Sequence, residues 1–372
     1  MLPLPVGEAP RHRPHEDLLA MHPFFTLTVE LANVVGIFDA RGHRAMENYT
    51  YNSLILQIEG LKVTAHYVYP VFAFLLIFYL FIMIMNVGIV VLVCIERSLH
   101  QPMYLLFCNL PINDIIGSSL LVPRLLADML VPPSERFINY YECVVQAFFS
   151  HLFGTTSHTI LMIMAFDRYI AICNPLRYTI IMSNKMVIKL IASAWGVAIV
   201  LVAVLLGLTM RLNTCRTLIT HPYCDNASLF KLSCESVFIN NAYGLTFTVV
   251  LLSSSIGGVI LTYVKITAVC LTSNNKALNS KALQTCSTHL SVYLIVILCG
   301  MLIILMHRFP QYSDYRKLSS IMFHIVPSGL NPIIYGVQSK ELRKLLSNMF
   351  TSRKVLPFIK GGTHVAFESK AH

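Results

Sequence analysis

Seven apolar stretches, each as long as or longer than the roughly 20 residues a helix needs to cross hydrocarbon, govern what this chain can become. They run from Tyr67 to Ile95, Met103 to Leu130, Tyr141 to Ile172, Met186 to Leu208, Val237 to Leu271, Leu283 to Met306 and Leu318 to Val337. Short polar loops separate them, and runs of this length mean helices, not the alternating strands of about ten residues found in membrane barrels. Only 12% of the residues are charged, against about 25% in soluble domains. The expected fold is an all-α membrane protein, a seven-helix bundle spanning residues 67–338.

Orientation follows from the basic residues beside the spans. Arg97, Arg168, Arg177, Lys185, Lys189, Lys265, Lys276, Lys281, Lys340, Arg343 and Lys344 flank alternate loops and the C-terminal end. Loops rich in Lys and Arg stay cytoplasmic, which puts the N-terminus outside and the C-terminus inside. The net charge of +10 is thereby explained by topology, and no nucleic-acid partner is expected. Beyond the last span, Leu342, Leu345, Leu346, Met349 and Phe350 recur at helical spacing among basic residues. Residues 339–350 are therefore expected to form a short amphipathic helix on the inner membrane face, followed by a cytoplasmic tail, 351–372.

Two readings of residues 1–45 stand side by side: an extension upstream of a true start at Met46, or a long disordered tail. Asn48-Tyr49-Thr50 is a glycosylation sequon and fits an extracellular segment at 46–66. Asn226-Ala227-Ser228 is a second one, in the long loop between the fourth and fifth spans. Of ten cysteines, most lie in spans, but Cys143, Cys215, Cys224 and Cys234 fall on the outer side. An oxidising compartment predicts two disulfides, with three pairings open.

Polar groups inside apolar spans are expensive and tend to be functional. Asp114, with Asn86 and Asn331 from other spans, is expected to form a hydrogen-bonded or ion-holding cluster, or else a structural polar staple. Asp167, Arg168 and Tyr169 close the third span as a static ion pair or a functional site. For a ligand, one face of the third span presents Ser150, His151, Gly154 and Thr155, and the sixth presents Ile297, Met301 and Ile304 below Arg308. Arg308 either anchors an anion or caps its helix, and His151 and His324 either face ligand or sit bonded in the core. Neither a catalytic nor a metal constellation is present, no Gly-rich phosphate loop follows a strand, and no cofactor is expected.

The Asp-Arg-Tyr run after the third span and Asn331-Pro332-Ile333-Ile334-Tyr335 in the seventh resemble the rhodopsin-like G-protein-coupled receptors. PMYLLFCNLPINDI, MAFDRYIAICNPLRY, KALQTCSTHL and PSGLNPIIYG are similar to the diagnostic runs of odorant receptors, over about Met46 to Phe350. The loop RLNTCRTLITHPYCDNASLFKLSCES resembles that of the fish-like class I branch, whose ligands tend to be water-soluble. The resemblance implies pairing of Cys143 with Cys224 and of Cys215 with Cys234. It also implies a cytoplasmic G-protein switch of Asp167, Arg168 and Tyr169, joined by Tyr263, Asn331, Pro332 and Tyr335, with the sixth span swinging outward. The partners would be a small odorant, a stimulatory olfactory-type G protein acting through cyclic AMP, and the lipids of the plasma membrane. Thr262-Tyr263 stands where that family usually has Ser-Tyr, and the residues before Met46 exceed its usual short N-terminus. A receptor of the same architecture for a metabolite or peptide outside the nose is the alternative; a transporter or channel lacks support, because no internal repeat is visible.

Overall fold

The computed structural model describes residues 51–272, 276–307 and 309–338. Met46, the sequon at Asn48, the amphipathic segment 339–350, the tail 351–372 and Arg308 lie outside the described residues.

Seven long helices are found among the described residues: α1 (Val68–Ile95), α2 (Asn109–Met129), α3 (Tyr140–Cys173), α4 (Asn184–Met210), α5 (Phe238–Thr272), α6 (Lys276–His307) and α7 (Ser313–Gln338). At 1.5 Å per residue the 28 residues of α1 reach about 42 Å, more than the roughly 30 Å hydrocarbon core. Among the described residues, five spans are long and apolar enough to cross a membrane alone, and α3 joins them when taken with the bent segment Pro175–Ile181 that follows it. Polar residues dilute α3 and α7, and packing explains why that is tolerated. α3 touches α2, α4, α5 and α6, so its polar groups meet protein instead of lipid, while α7 packs on α1, α2 and α6.

Where α2 begins, the structure refines the expected second span. Pro102–Phe107 is a separate short helix, and the chain turns at Cys108 before α2 resumes. Pro111 has no N–H to offer the Phe107 carbonyl, so the helix loses a rung there. Asn109 bridges the gap, donating from Nδ2 to the Leu105 carbonyl at 2.8 Å and accepting from Trp195 Nε1 at 3.1 Å. One glycine fixes the approach of α2 to α3: a Cβ on Gly117 would lie 2.5 Å from Phe153 Cδ2.

The segment before α1 is more than a tail. Ile55–Ile58 forms β1, which pairs antiparallel with β2 (Phe137–Asn139) and parallel with β3 (Leu218–Ile219). Leu56, Ile58, Ile138 and Ile219 point inward and are almost fully buried with Cys143, Cys224, Leu229 and Leu232. The sheet caps one end of the bundle, called here the disulfide end; the opposite end carries Arg168.

A charged clasp ties β1 to α7. Lys317 is 1% exposed, and its Nζ lies 3.1 Å from Glu59 Oε2 and donates to the Gly60 carbonyl at 3.1 Å. Gly60 adopts a φ of 70° that favours glycine, and a Cβ there would meet Arg136 Nη1 at 2.6 Å. Burial alone would raise the Glu59 carboxyl, but hydrogen bonds and charge from Lys62 and Lys317 hold it below its ordinary 4.5. A depressed carboxyl contributes stability above its unfolded pKa and loses it as pH falls through the folded value. Thermal unfolding of the purified receptor is therefore expected to show the clasp's contribution intact at pH 7 and fading below pH 4.5. Glu59→Gln strands the buried Lys317 and should cost about 2 kcal/mol, below the roughly 3–5 of a fully buried pair because Glu59 keeps some solvent. Glu59→Gln with Lys317→Met should recover most of that.

Candidate functional site

At the arginine end, α3 delivers Asp167 and Arg168 to the edge of the bundle. The Arg168 guanidinium donates to the Asp167 carboxylate, whose other oxygen accepts from Tyr178 OH at 2.9 Å. Asp167 is almost wholly buried at 1% exposure, so this pair is held in place by packing. Tyr169, like Tyr263 and Cys173, packs against the buried cluster of Ile266, Cys270 and Cys286, and it lies under Lys265 of α5, whose Nζ is 5.6 Å from the ring centroid. Tyr263 does not bond Arg168 in this structure. Its hydroxyl meets His289 Nδ1 at 2.7 Å and donates to the Cys286 carbonyl at 3.3 Å, while His289 Nε2 reaches the Leu161 carbonyl at 2.9 Å. His289 thus joins α3, α5 and α6, a role the sequence reading missed although the residue stands within KALQTCSTHL. Tyr335 of α7 packs against Phe107 with the rings tilted 45° and centroids 4.2 Å apart, and its hydroxyl has no partner among the described residues.

Midway along the bundle, Asp114 gathers α7 onto α2. Its Oδ2 accepts from Asn331 Nδ2 at 2.9 Å and its Oδ1 from Ser328 Oγ at 3.1 Å. Pro332 explains why Asn86 belongs here too: without a proline N–H, the Ser328 carbonyl is free to accept from Asn86 Nδ2, at 3.0 Å. Asn86 Oδ1, Asn331 Oδ1 and Ser118 Oγ have no partner among the described residues. Oxygens of this kind beside a carboxylate suit water or a hard cation. Asn113 is turned elsewhere, donating to the Phe153 carbonyl and Ser157 Oγ of α3.

The disulfide end is sealed by the loop between α4 and α5. Cys143 is bonded to Cys224 and Cys215 to Cys234, with Cα separations of 5.3 and 5.9 Å. The first bond, with Gln146 Oε1 accepting from the Cys224 N–H at 2.9 Å, drops residues 221–226 into the mouth of the bundle. His221 and Tyr223 are buried there, His221 Nε2 lying 3.2 Å from Ser320 Oγ, and the Tyr223 ring standing edge-on to His324 with centroids 5.3 Å apart. Burial raises the Tyr223 phenol, and the charge of Asp225 adds to it. Asp225 caps the short helix Asn226–Phe230 through the Ser228 N–H. Burial alone would raise that carboxyl too, but His221, the Ser228 hydrogen bonds and His151 bring it down to about 2.

The expected ligand face of α3 meets this plug. Ser150 Oγ lies 3.0 Å from His324 Nε2, and His151 Nε2 accepts from the Asn226 N–H at 3.1 Å. Gly154 makes room for Phe323, and Thr155 is buried with its hydroxyl donating to the His151 carbonyl. On α6, Ile297 and Ile304 are half-buried, Ile297 against the central core. Met301 is a correction: it lies on an exposed stripe with Leu294, Leu298 and Leu305, because the inward face of α6 passes through His289, Val292, Val296 and Gly300, the last packed toward Phe323.

Asn226 carries a sequon that a packed loop can hide. It is 4% exposed, and its Oδ1 accepts from Thr209 Oγ1 at 2.6 Å, so a glycan on its amide would have no room. Asn226→Gln is expected to leave the gel shift on enzymatic deglycosylation unchanged from the wild type.

Among the described residues, no group of three or more His, Cys, Asp or Glu could hold a metal ion. A bundle of seven long helices, with a charged lock at one end and a disulfide-pinned loop plugging the other, is the build of a G-protein-coupled receptor. Residues 74–353 match the olfactory receptor family. The chain is 32% identical to human Olfactory receptor 52K1 over 273 residues, covering 73% of this chain and 86% of that one. Human Olfactory receptor 10H1 is 33% identical over 297 residues, 79% of this chain and 92% of its own. Mouse Olfactory receptor 8G17 is 30% identical over 293 residues, 78% and 95% of the respective chains. The chain belongs to the olfactory receptor family. It is a multi-pass membrane receptor of the odorant-sensing, G-protein-coupled kind and not an enzyme.

Proposed function

We propose that the chain is a plasma-membrane receptor for small, water-soluble odorants of the class I type, with its disulfide end outside and its Arg168 end in the cytoplasm. The ligand chamber lies beneath the 221–226 plug, with Ser150, His151, Gly154 and Thr155 on α3, Ile297 and Ile304 on α6, and His324 on α7. Met301 and the exposed leucines of α6 face lipid. At the cytoplasmic end, Arg168 leaves Asp167 on activation, Tyr263 and Tyr335 approach it, α6 swings outward, and a stimulatory olfactory-type G protein enters the cleft.

One observation carries this reading: the charged Asp167–Arg168–Tyr178 lock and the buried hydroxyl and imidazole groups of Ser150, His151 and His324 under the loop lie toward opposite ends of one helix, α3. The Lys- and Arg-rich loops at the Arg168 end support the orientation. A ligand shifts the equilibrium only by binding the active arrangement more tightly than the resting one. Chamber walls that differ between the two states provide that difference.

The test is a screen of small acids and amino acids on cells displaying the receptor, with cyclic AMP as readout, with and without the stimulatory G protein. The expected result is a ligand-evoked rise that needs this G protein. A ligand response carried by another G-protein class would overturn the coupling.

A further inference from the structure

Above the plug, between the loop and the start of α7, lies a cavity of about 200 Å³. That is room for several waters or a small organic molecule. Its walls come from β3 and the residues after it, from the helix Asn226–Phe230 and from α7. Among the lining residues are three permanent cations, Arg216, Lys231 and Arg316, and one carboxylate, Asp225. Three cations to one anion leave the wall net positive whatever pairs form within it. The carboxylate already accepts from the Ser228 N–H at 2.7 Å, so part of its charge is spent on the loop's own fold.

Hydrogen bonds link the cavity wall to the groups beneath it. Arg316, Ser320 and His324 stand four residues apart, on one face of α7. Ser320 Oγ donates to the Arg316 carbonyl at 3.0 Å and meets His221 Nε2 at 3.2 Å. One turn below, His324 Nδ1 lies 3.0 Å from the Ser320 carbonyl, and its Nε2 lies 3.0 Å from Ser150 Oγ. His221 lines the cavity on one side and holds the plug on the other. A polar ladder thus joins a basic vestibule to the chamber below.

We propose that this cavity is a vestibular binding site for small organic carboxylates, held by Arg216, Lys231 and Arg316 before the ligand passes the His221 plug. The inference rests on the reading above that the disulfide end admits ligand. Guanidinium groups take carboxylates through paired, charge-assisted hydrogen bonds. A net-positive mouth also raises the local concentration of anions and their arrival rate, and added salt should weaken this.

The test is saturation-transfer NMR on the full-length receptor in nanodiscs at pH 7, with butyrate as probe and butyramide as its neutral isostere. Butyrate is expected to receive saturation and butyramide far less. Lys231→Gln with Arg316→Gln should weaken the butyrate signal about tenfold, while Lys231→Arg with Arg316→Lys retains it. The unfolding temperature of each variant reports whether it folds, and the charge-retaining pair carries the comparison if the neutral pair does not. Equal signals from butyrate and butyramide, or a butyrate signal untouched by the neutral pair, would overturn the site. A butyrate signal lost in Ser150→Ala with His324→Gln but kept in the neutral pair would place binding in the chamber, sinking the vestibule and leaving the receptor reading standing. Failure of every acid to evoke cyclic AMP, with the vestibular signal intact, would do the reverse.

Discussion

Replacing Arg168 with alanine is expected to abolish ligand-evoked cyclic AMP while the receptor still reaches the cell surface. Arg168 stands in the last turns of α3 with its side chain 12% exposed, and its loss takes a charged group, not an apolar one, from the bundle. It removes the group that the proposed switch moves between Asp167 and the G-protein cleft. The partner side gives the opposite sign. Asp167→Asn takes away the carboxylate that holds the guanidinium at rest, and each 1.4 kcal/mol of lost resting-state preference shifts a two-state population about tenfold. Basal cyclic AMP should therefore rise several-fold in Asp167→Asn, and less in Tyr178→Phe, which deletes only the 2.9 Å hydrogen bond to Asp167. The measurement is cyclic AMP normalised to surface receptor. Normal signalling by Arg168→Ala would remove the switch assignment.

The spans are legible in the sequence because a helix in lipid must be continuously apolar over a fixed length. The reading of Tyr67 to Ile95 against the observed Val68–Ile95 shows how tightly that constraint holds. Which face of such a helix points inward is another matter. On α6 the stripe of Leu294, Leu298, Met301 and Leu305 is as apolar as the core-facing one, since lipid and core solvate these side chains alike. Apolar spacing alone therefore does not tell the lipid-facing Met301 from an inward residue. Polar residues break that degeneracy: Asp114, Asn86 and Asn331 converge in the structure, their meeting set by Pro332 freeing one carbonyl. The strand Ile55–Ile58 was unreadable because four residues alternate too briefly to stand out, and its pairing with Leu218–Ile219 depends on a loop that the disulfides position. Asn226 carries a sequon whose availability depends on burial, a property of the fold. Trp195, bonded to Asn109 where Pro111 interrupts the second span, left no sequence signal beyond being the sole tryptophan.

Cys143→Ser and Cys224→Ser are each expected to remove nearly all surface receptor, with Cys215→Ser and Cys234→Ser much milder. The physical difference is twofold. The Cys143–Cys224 bond closes 81 residues of chain and the Cys215–Cys234 bond only 19, which in the loop-entropy account is worth about 4.5 against about 3 kcal/mol. The larger difference lies in what each bond positions. Cys143 and Cys224 are fully buried at the centre of the cluster that holds β1, β3 and the loop helix on α3 and α4. Release of Cys224 also frees the 221–226 segment, which carries His221 and Tyr223 into the chamber. The second bond staples two parts of the loop that the Cys215 and Arg216 N–H groups already tie to the Leu232 carbonyl at 2.9 and 3.1 Å. Flow cytometry of an epitope-tagged receptor reads the outcome. Pairing is tested by combination, because bonded partners act as one unit and unbonded ones add. Cys143→Ser with Cys224→Ser should be no worse than either alone, whereas Cys215→Ser with Cys224→Ser should be worse than Cys224→Ser. Equal surface loss on breaking either bond would mean that the loop acts as a single staple and that the buried plug contributes nothing of its own.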